Sequence, residues 1–587
     1  MSDRHPPSRR HVKADLLFLF LAVVLVALMA RLGVLIESCR QRAEQSSAVQ
    51  ERTAFSLPAR PGHILAVAGK RYVPLAASRQ MPSCFADPSL IADQAQRVQV
   101  AREVAAALGV NELDIYHKLL ERRDKRFVWL ARRVQPARAR AVGALGLRCV
   151  GIQHEWQRVY PLGDLAAPVV GFRRRADNVA GAGLELAVDD TVRAEPGKRV
   201  CIADAGRRGI WPVAAESTAP RDGRHVLLFL DATIQDYLQE AVADAQQRYK
   251  AQWAAGVVVC PQSGAVLALA SCPSYNPNAY WKADAADRTN RAISLPYEPG
   301  SVAKPLFAAY AASEGVLSWQ SRIDCENGTY YADGGGRIGD HGHSYGLLTV
   351  SDIIKYSSNI GMAKIGEMLG NARLHAAALE MGFGRETGLG LPGESPGQLR
   401  PLRRWDGYSM RRVPFGQEIS VTSLQLAMAY AALANDGRLL RARLVDRVIG
   451  PDGENVWQSE PEVVARPFSP AAARGAIEAM QRVVEEEGGT GRRARMTYWT
   501  CAGKTGTAQV AGRGGYQDGQ YVGSFVGIAP VAQPRLVCLI SVYRPDPAEG
   551  YYGGVVAAPG VREVLRRALA YLDVPPGKLT HLAAAGR

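Results

Sequence analysis

YEPGSVAKPLFAAYAASEG (residues 297–315) is the stretch on which the fold reading turns. Pro299-Gly300 makes a tight turn, and the residues after it have helical composition. Proline is tolerated in the first turn of a helix and breaks one further in, so Pro305 requires the helix to begin near Ser301. That places Ser301 at a helix N-terminus. Lys304 lies three positions on, on the same face and adjacent. A serine hydroxyl becomes a good nucleophile only when a nearby base takes its proton. A lysine is such a base only when desolvation or neighbouring positive charge lowers its pKa. Taken alone, S-x-x-K is better explained as an ordinary helix start.

Two further segments bear on the same chemistry. KYSSNIGM (355–362) carries Ser357 and Asn359 inside an apolar, helical stretch. A polar bend between two helices explains it by itself; the functional reading makes Ser357 a proton relay and gives Asn359 a hydrogen bond to a substrate amide and to Lys304. WTCAGKTGTAQV (499–510) reads as a strand in which Gly503 and Gly506 permit close backbone approach. Lys504 places a cation beside the nucleophile, and Thr505 and Thr507 can bind a substrate carboxylate. An edge strand protected by lysine is the competing explanation.

Further out, HVLLFLD (225–231) reads as a strand, 232–252 as a helix, and GVVVCPQSGAVLALA (256–270) as a hairpin around Pro-Gln-Ser-Gly. Strands beside long helices indicate a sheet flanked by helices. Upstream, 60–213 mixes strand-like runs (63–67, 127–130) with a helix over 92–108 and holds no catalytic constellation, as befits a spacer or docking domain. TAPRDGRH (218–225) reads as the linker.

LLFLFLAVVLVALMA (16–30), continued past Arg31 to 36, is long enough to cross a bilayer. Arg4, Arg9, Arg10 and Lys13 precede it, which puts residues 1–15 in the cytoplasm and the rest of the chain outside. A cleaved signal peptide is the rival, but no A-x-A site follows the apolar run. The polar stretch 37–52 reads as a helix leaving the membrane. The 587 residues carry a formal charge of +15, yet no zinc-finger spacing or Arg/Lys-dense helix supports nucleic-acid binding. Nine scattered cysteines with no C-x-x-C pair argue against a zinc site and a disulfide framework; Cys260 and Cys538, in apolar runs, read as buried thiols. No metal or cofactor is expected.

The three segments occur in the order S-x-x-K, S-x-N, K-T-G, the signature set of penicillin-binding proteins and class A β-lactamases. The chain resembles a class B penicillin-binding protein along nearly its whole length. RVYPLGDLAAPVVGF (158–172) with GLE (183–185) resembles the non-catalytic pedestal of that family. FLDATIQ (229–235), ASCPSYNPN (270–278), NRAISLPYEPGS (290–301), SVTSLQLAMAYAALANDG (420–437) and GGTGRRA (488–494) resemble its transpeptidase domain. The resemblance implies a multidomain chain. Its parts are a cytoplasmic tail (1–15), a transmembrane helix (16–36), an α+β pedestal of dimerisation type (37–217), an α/β penicillin-binding transpeptidase domain (218–575) and a C-terminal tail (576–587). The transpeptidase domain is expected to be an antiparallel sheet flanked by helices, similar to serine β-lactamases.

It further implies Ser301 as acylated nucleophile, Lys304 as base, Ser357, Asn359 and Lys504 as catalytic partners, and Thr505, Gly506 and Thr507 as substrate-binding residues. The backbone N–H groups of Ser301 and Thr507 form the oxyanion hole. The implied substrates are peptidoglycan stem peptides, a D-Ala-D-Ala donor and an amine acceptor, with β-lactams as inhibitors and no nucleic acid. CFADPSLI (84–91) and EPGSVAKP (298–305) are similar to the division-specific branch, which implies a polytopic glycan polymerase and other septal proteins as partners and the inner membrane facing the periplasm as location. An elongation-type enzyme, a D,D-carboxypeptidase or β-lactamase, a β-lactam sensor and a non-catalytic septal scaffold are the alternatives. Two departures stand out: residues 60–69 (RPGHILAVAG) lack the family's Asp-Arg pair, and the usual G-x-G reads Gly416-Gln-Glu418.

Overall fold

The computed structural model describes residues 9–50, 52–203, 209–332, 336–340, 342–512 and 515–578. The outer part of the expected cytoplasmic tail (1–8) and of the C-terminal tail (579–587) lies outside the described residues. Two compact units emerge, each built from discontinuous chain: 1–60 with 194–222, and 61–193 with 223–587.

In the first unit a single helix, Arg9–Gln50, runs unbroken through the expected anchor and the polar stretch after it. Its apolar side chains between Leu16 and Ile36 face solvent, Phe18 at 76% exposure and Val34 at 72%. A helix that is apolar all round over 16–36, with those side chains exposed, has the character of a bilayer span. The helix is followed by a three-stranded antiparallel sheet, in which Gly197–Ala203 lies between Arg52–Leu57 and Gly209–Pro212.

The second unit begins with Ile64–Ala68 and the long strand Arg71–Ala86, which pairs first with Ile64–Ala68 and then with Val128–Ala131 and Val150–Val159. Helices Gln94–Leu108 and Glu112–Glu121 cover this end. Asp93 and Asn111 cap them through their side chains, and Gly109 closes the first at φ +64°. Their apolar faces (Val104, Leu108, Ile115, Leu119) enclose a small core with Cys84 and Leu130. The helix and both strands read from this region of the sequence are present, within a residue or two. The strand His225–Asp231, expected to open the catalytic domain, pairs in parallel with Ile64–Ala68 and antiparallel with Val445–Ile449. One sheet therefore spans the expected linker.

The catalytic half is organised on a five-stranded antiparallel sheet, in the order Ala265–Cys272, Trp253–Cys260, Leu536–Tyr543, Gly515–Ala529, Ala502–Gly512. The first two strands are the expected hairpin. Alternate residues enter two cores, which is why these strands read as continuous apolar runs. Val258, Cys538 and Ile540 face helices Ala232–Arg248 and Ala558–Tyr571 through Leu238, Val242, Val561 and Leu565. Val257, Val259 and Leu539 face the opposite core with Leu306, Phe307 and Leu424. Each such aliphatic side chain contributes about 1.5–3 kcal/mol when fully buried. Cys538 is buried as expected, whereas Cys260, at the hairpin end, is only half-buried.

Candidate active site

The turn before Ser301 is built by close backbone approach. Gly300 takes φ +58°, and its N–H donates to the Gly416 carbonyl at 3.0 Å. A Cβ on Gly416 would stand 2.1 Å from the Gly300 oxygen, so only glycine fits there. Gly300–Ala303 forms a 3-10 turn, and the α-helix proper is Lys304–Ser313 with Pro305 in its first turn. The proline thus sits where the sequence requires it, one turn after the serine. Tyr430, from the buried helix Ser423–Leu433, donates its hydroxyl to the Val302 carbonyl.

The S-x-N segment is the bend between helices Val350–Tyr356 and Asn359–Glu380. It is a polar bend, and the bend faces the two lysines. Ser357 takes φ +63°, a left-handed conformation uncommon for a residue with a side chain. Ser358 caps the second helix. The Asp340 carboxylate accepts from the Asn359 N–H (2.6 Å), the Ile360 N–H (3.1 Å) and the Ser358 hydroxyl (2.8 Å). The Asn359 amide donates to the Gly339 carbonyl at 3.0 Å, which turns its oxygen toward Lys304.

Lys304 and Lys504 are both fully buried, and they meet at one oxygen. Lys304 Nζ donates to Ser357 Oγ (3.2 Å), Asn359 Oδ1 (2.7 Å) and the Ser357 carbonyl (2.5 Å). Lys504 Nζ donates to the same Ser357 Oγ at 2.9 Å and to the Thr505 carbonyl at 3.2 Å. Burial pushes Lys304 down to about 7, against the opposing pull of the Asp340 carboxylate. Burial and the neighbouring Lys304 push Lys504 well below the ordinary lysine range.

Lys504 lies on the edge strand Ala502–Gly512, paired with Gly515–Ala529 in the register Lys504↔Val526, Thr507↔Gly523. Alternation turns Lys504 and Gly506 inward and leaves Thr505 and Thr507 half-exposed on the other side. A Cβ on Gly506 would lie 2.4 Å from Val302 Cγ2 and 2.9 Å from the Pro299 carbonyl, so this glycine lets the strand touch the serine turn. A Cβ on Gly300 would lie 3.3 Å from the Thr507 oxygen. Thr505 Oγ1 and Thr490 Oγ1 are 3.0 Å apart, and Thr507 Oγ1 accepts from the Gly553 N–H at 3.2 Å.

All eight expected residues thus converge: four joined by side-chain hydrogen bonds, the others by the contact of strand and serine turn. Such a cleft can transfer an acyl group from a serine turn set beside a buried amine whose pKa is lowered to about 7. Sequence reading missed Asp340, Thr490 and Glu298. Glu298 accepts from the Glu418 N–H (2.9 Å) and the Tyr516 hydroxyl (3.0 Å). Glu418, at the departing position, takes φ +64° and pairs with Arg400. No spacing rule points to these residues: Asp340 and Thr490 act from loops outside the three motifs, and Glu298, although it adjoins the serine turn, acts on partners distant in sequence, Glu418 and Tyr516. Among the described residues no group of His, Cys, Asp and Glu is arranged to hold a metal ion.

Residues 254–566 match the penicillin binding protein transpeptidase domain family, and 57–228 the penicillin-binding protein dimerisation domain family. The chain is 33% identical over 532 residues to a probable peptidoglycan D,D-transpeptidase, PenA, of Neisseria meningitidis (90% of this chain, 87% of that protein). It is 30% identical over 511 residues to the peptidoglycan D,D-transpeptidase FtsI of Escherichia coli K12 (86% and 83%). Among solved structures, penicillin binding protein 3 of Mycobacterium tuberculosis complexed with aztreonam superposes with a TM-score of 0.68 at 26% identity, covering 89% of this chain and 98% of that one.

Proposed function

The chain belongs to the class B penicillin-binding proteins, peptidoglycan D,D-transpeptidases with a dimerisation-type domain, and from that premise we propose that it cross-links stem peptides through an acyl-enzyme on Ser301. The observation that carries this reading is the Ser357 oxygen shared by two buried lysines beside the serine turn.

Ser301 Oγ attacks the carbonyl of the D-Ala-D-Ala bond, and its proton goes to uncharged Lys304. The oxyanion takes hydrogen bonds from the Ser301 and Thr507 N–H groups, each such donor being worth roughly 3–4 kcal/mol in the transition state. The C–N bond breaks as the leaving amine receives a proton relayed from Lys304 through Ser357, and D-alanine departs. An acceptor amine from a neighbouring stem then attacks the ester and gives a proton to the same base. The C–Oγ bond breaks, and Ser301 regains its hydrogen.

The substrate's terminal carboxylate, held by Thr505 and Thr507, favours the charged form of nearby Lys504. A charged Lys504 in turn disfavours charge on Lys304. Substrate binding thereby moves the proton to the lysine that does not act as base, while Asn359 holds the donor amide and Lys304 in line.

Residues 37–217 form the non-catalytic pedestal and 218–575 the catalytic domain, a reading supported by the two family matches. Residues 16–36 anchor the chain in the inner membrane, with the N-terminus inside and the catalytic cleft in the periplasm; the exposed apolar helix supports this. We take it to act in septal synthesis during division, beside a glycan polymerase, on the resemblance of residues 84–91 and 298–305 to the division-specific branch. Midcell accumulation of tagged protein is expected; uniform side-wall signal points to elongation instead. The reaction is tested with a stem-peptide donor and an amine acceptor. Cross-linked dimer plus free D-alanine is the expected product; D-alanine release by hydrolysis alone, with acceptor present, makes the protein a carboxypeptidase.

A further inference from the structure

Away from Ser301, a cleft of about 470 Å3 is lined by Arg132, Arg133, Arg175, Ala176, Tyr280 and Trp281. It shares no residue with the site above. The arginines follow the strand Val128–Ala131 and the turn after Phe172; the aromatics come from the 3-10 turn Pro277–Lys282.

Three guanidinium groups line it and no carboxylate does. Glu155 accepts from Arg132 Nε (3.1 Å) and NH2 (2.5 Å), which offsets one charge. Among the described residues neither Arg133 nor Arg175 forms an ion pair, although the Glu155 and Asp177 charges act on Arg133 from a distance: Arg133 NH1 donates to the Arg175 carbonyl at 2.5 Å, and its Nε is buried without a hydrogen-bond partner. A buried donor left unpaired is destabilising, and a bound acceptor removes that cost. Burial also pushes the Arg133 pKa down. Its backbone is held at φ +52°, with the N–H donated to Ser83 Oγ at 2.8 Å.

Such a residue is positioned against its own preferences, and an oxyanion supplies what it lacks. The planar fork of arginine matches carboxylate or phosphate. Beside it, Trp281 is 47% exposed, with the Arg175 guanidinium over its ring at 5.5 Å. Tyr280 is fixed by stacking on Phe172 at 4.0 Å and by the Arg175 N–H to its hydroxyl at 3.4 Å. An exposed aromatic face such as that of Trp281 suits the C–H face of a sugar ring.

We propose that this cleft is a second site for peptidoglycan, which holds the terminal carboxylate of an uncross-linked stem peptide on Arg133 and Arg175 with an adjacent sugar on Trp281. The assignment rests on the transpeptidase reading, since it takes the polymer from it. The site keeps a strand on the enzyme while its other stems pass through the Ser301 cleft.

The test uses full-length protein in detergent, first acylated with penicillin so that the Ser301 cleft is filled. Disaccharide-pentapeptide is titrated in, alongside its C-terminally amidated form and inorganic phosphate. The acylated wild type binds the carboxylate form; R133Q/R175Q weakens that binding roughly tenfold or more, and amidation does the same. Penicillin acylation rates stay unchanged in the double variant. Equal binding by wild type and variant, or by carboxylate and amide, overturns the proposal, as does binding of phosphate without the pentapeptide. Should the double variant fail to acylate, Arg175→Lys and Trp281→Ala decide: retained binding in Lys with loss in Ala supports the site, and full binding in both overturns it. Absence of any penicillin adduct on wild type is a different failure, that of the catalytic reading.

Discussion

Ser357 Oγ accepts from two lysines that have both been removed from water, and the chemistry follows from how those two share charge. Lys304 accepts a proton only when it carries none of its own. With its pKa near 7, the penicillin acylation rate should rise about tenfold per pH unit below 7 and level off above it. A rate independent of pH from 5 to 9 contradicts this (roughly the range over which such a base changes state). Asp340 raises the Lys304 pKa, so Asp340→Asn should move the acid limb to lower pH. Lys504 is held low by burial, so the unfolded chain binds a proton that the folded chain does not, from the folded pKa up to the ordinary lysine value. Stability therefore rises with pH across that window. Lys504→Met should flatten the slope and raise the melting temperature at neutral pH by a few degrees, while acylation falls about 100-fold or more. A lower melting temperature contradicts it. Both lysines are legible in sequence because the catalytic motifs are short and rigidly spaced. Asp340 is not legible: it lies seventeen residues before Ser357, in a glycine-rich loop whose path only the fold determines.

At the scale of elements, the site is an edge strand pressed on a 3-10 turn, with an interhelical bend closing the third side. Glycine makes the first contact possible. Gly506→Ala would set a Cβ against Val302 and the Pro299 carbonyl, neither of which can swing away. We expect the strand to shift from the serine, acylation to drop about 100-fold, and stability to fall by about 1–3 kcal/mol. Acylation at the wild-type rate in a normally folded variant rules out the close contact. The helix start at Pro305, the hairpin and the edge strand are readable because proline position and alternating apolar residues constrain backbone directly. The Glu418 loop is not, since its left-handed residue is held by Glu298 and Arg400 rather than by local preference.

At the scale of the molecule, an exposed apolar helix leads into a chain whose larger unit combines pedestal and catalytic residues. A chain beginning at residue 51 should leave the membrane fraction and still be acylated at the full-length rate; persistent membrane association places a second anchor elsewhere. The long apolar helix is legible because an uninterrupted apolar run of that length has the composition of a bilayer span. The domain boundary is less so, because His225–Asp231 is apolar enough for either half and its partners, Ile64–Ala68 and Val445–Ile449, are far away in sequence. The central claim, that Ser301 is the acylated residue of a two-lysine site, is tested most directly by treating the full-length protein with labelled penicillin and mapping the label by peptide mass spectrometry. The account predicts one adduct, on the peptide carrying Ser301, absent from Ser301→Ala; an adduct on another residue, or none on folded wild-type protein, contradicts it.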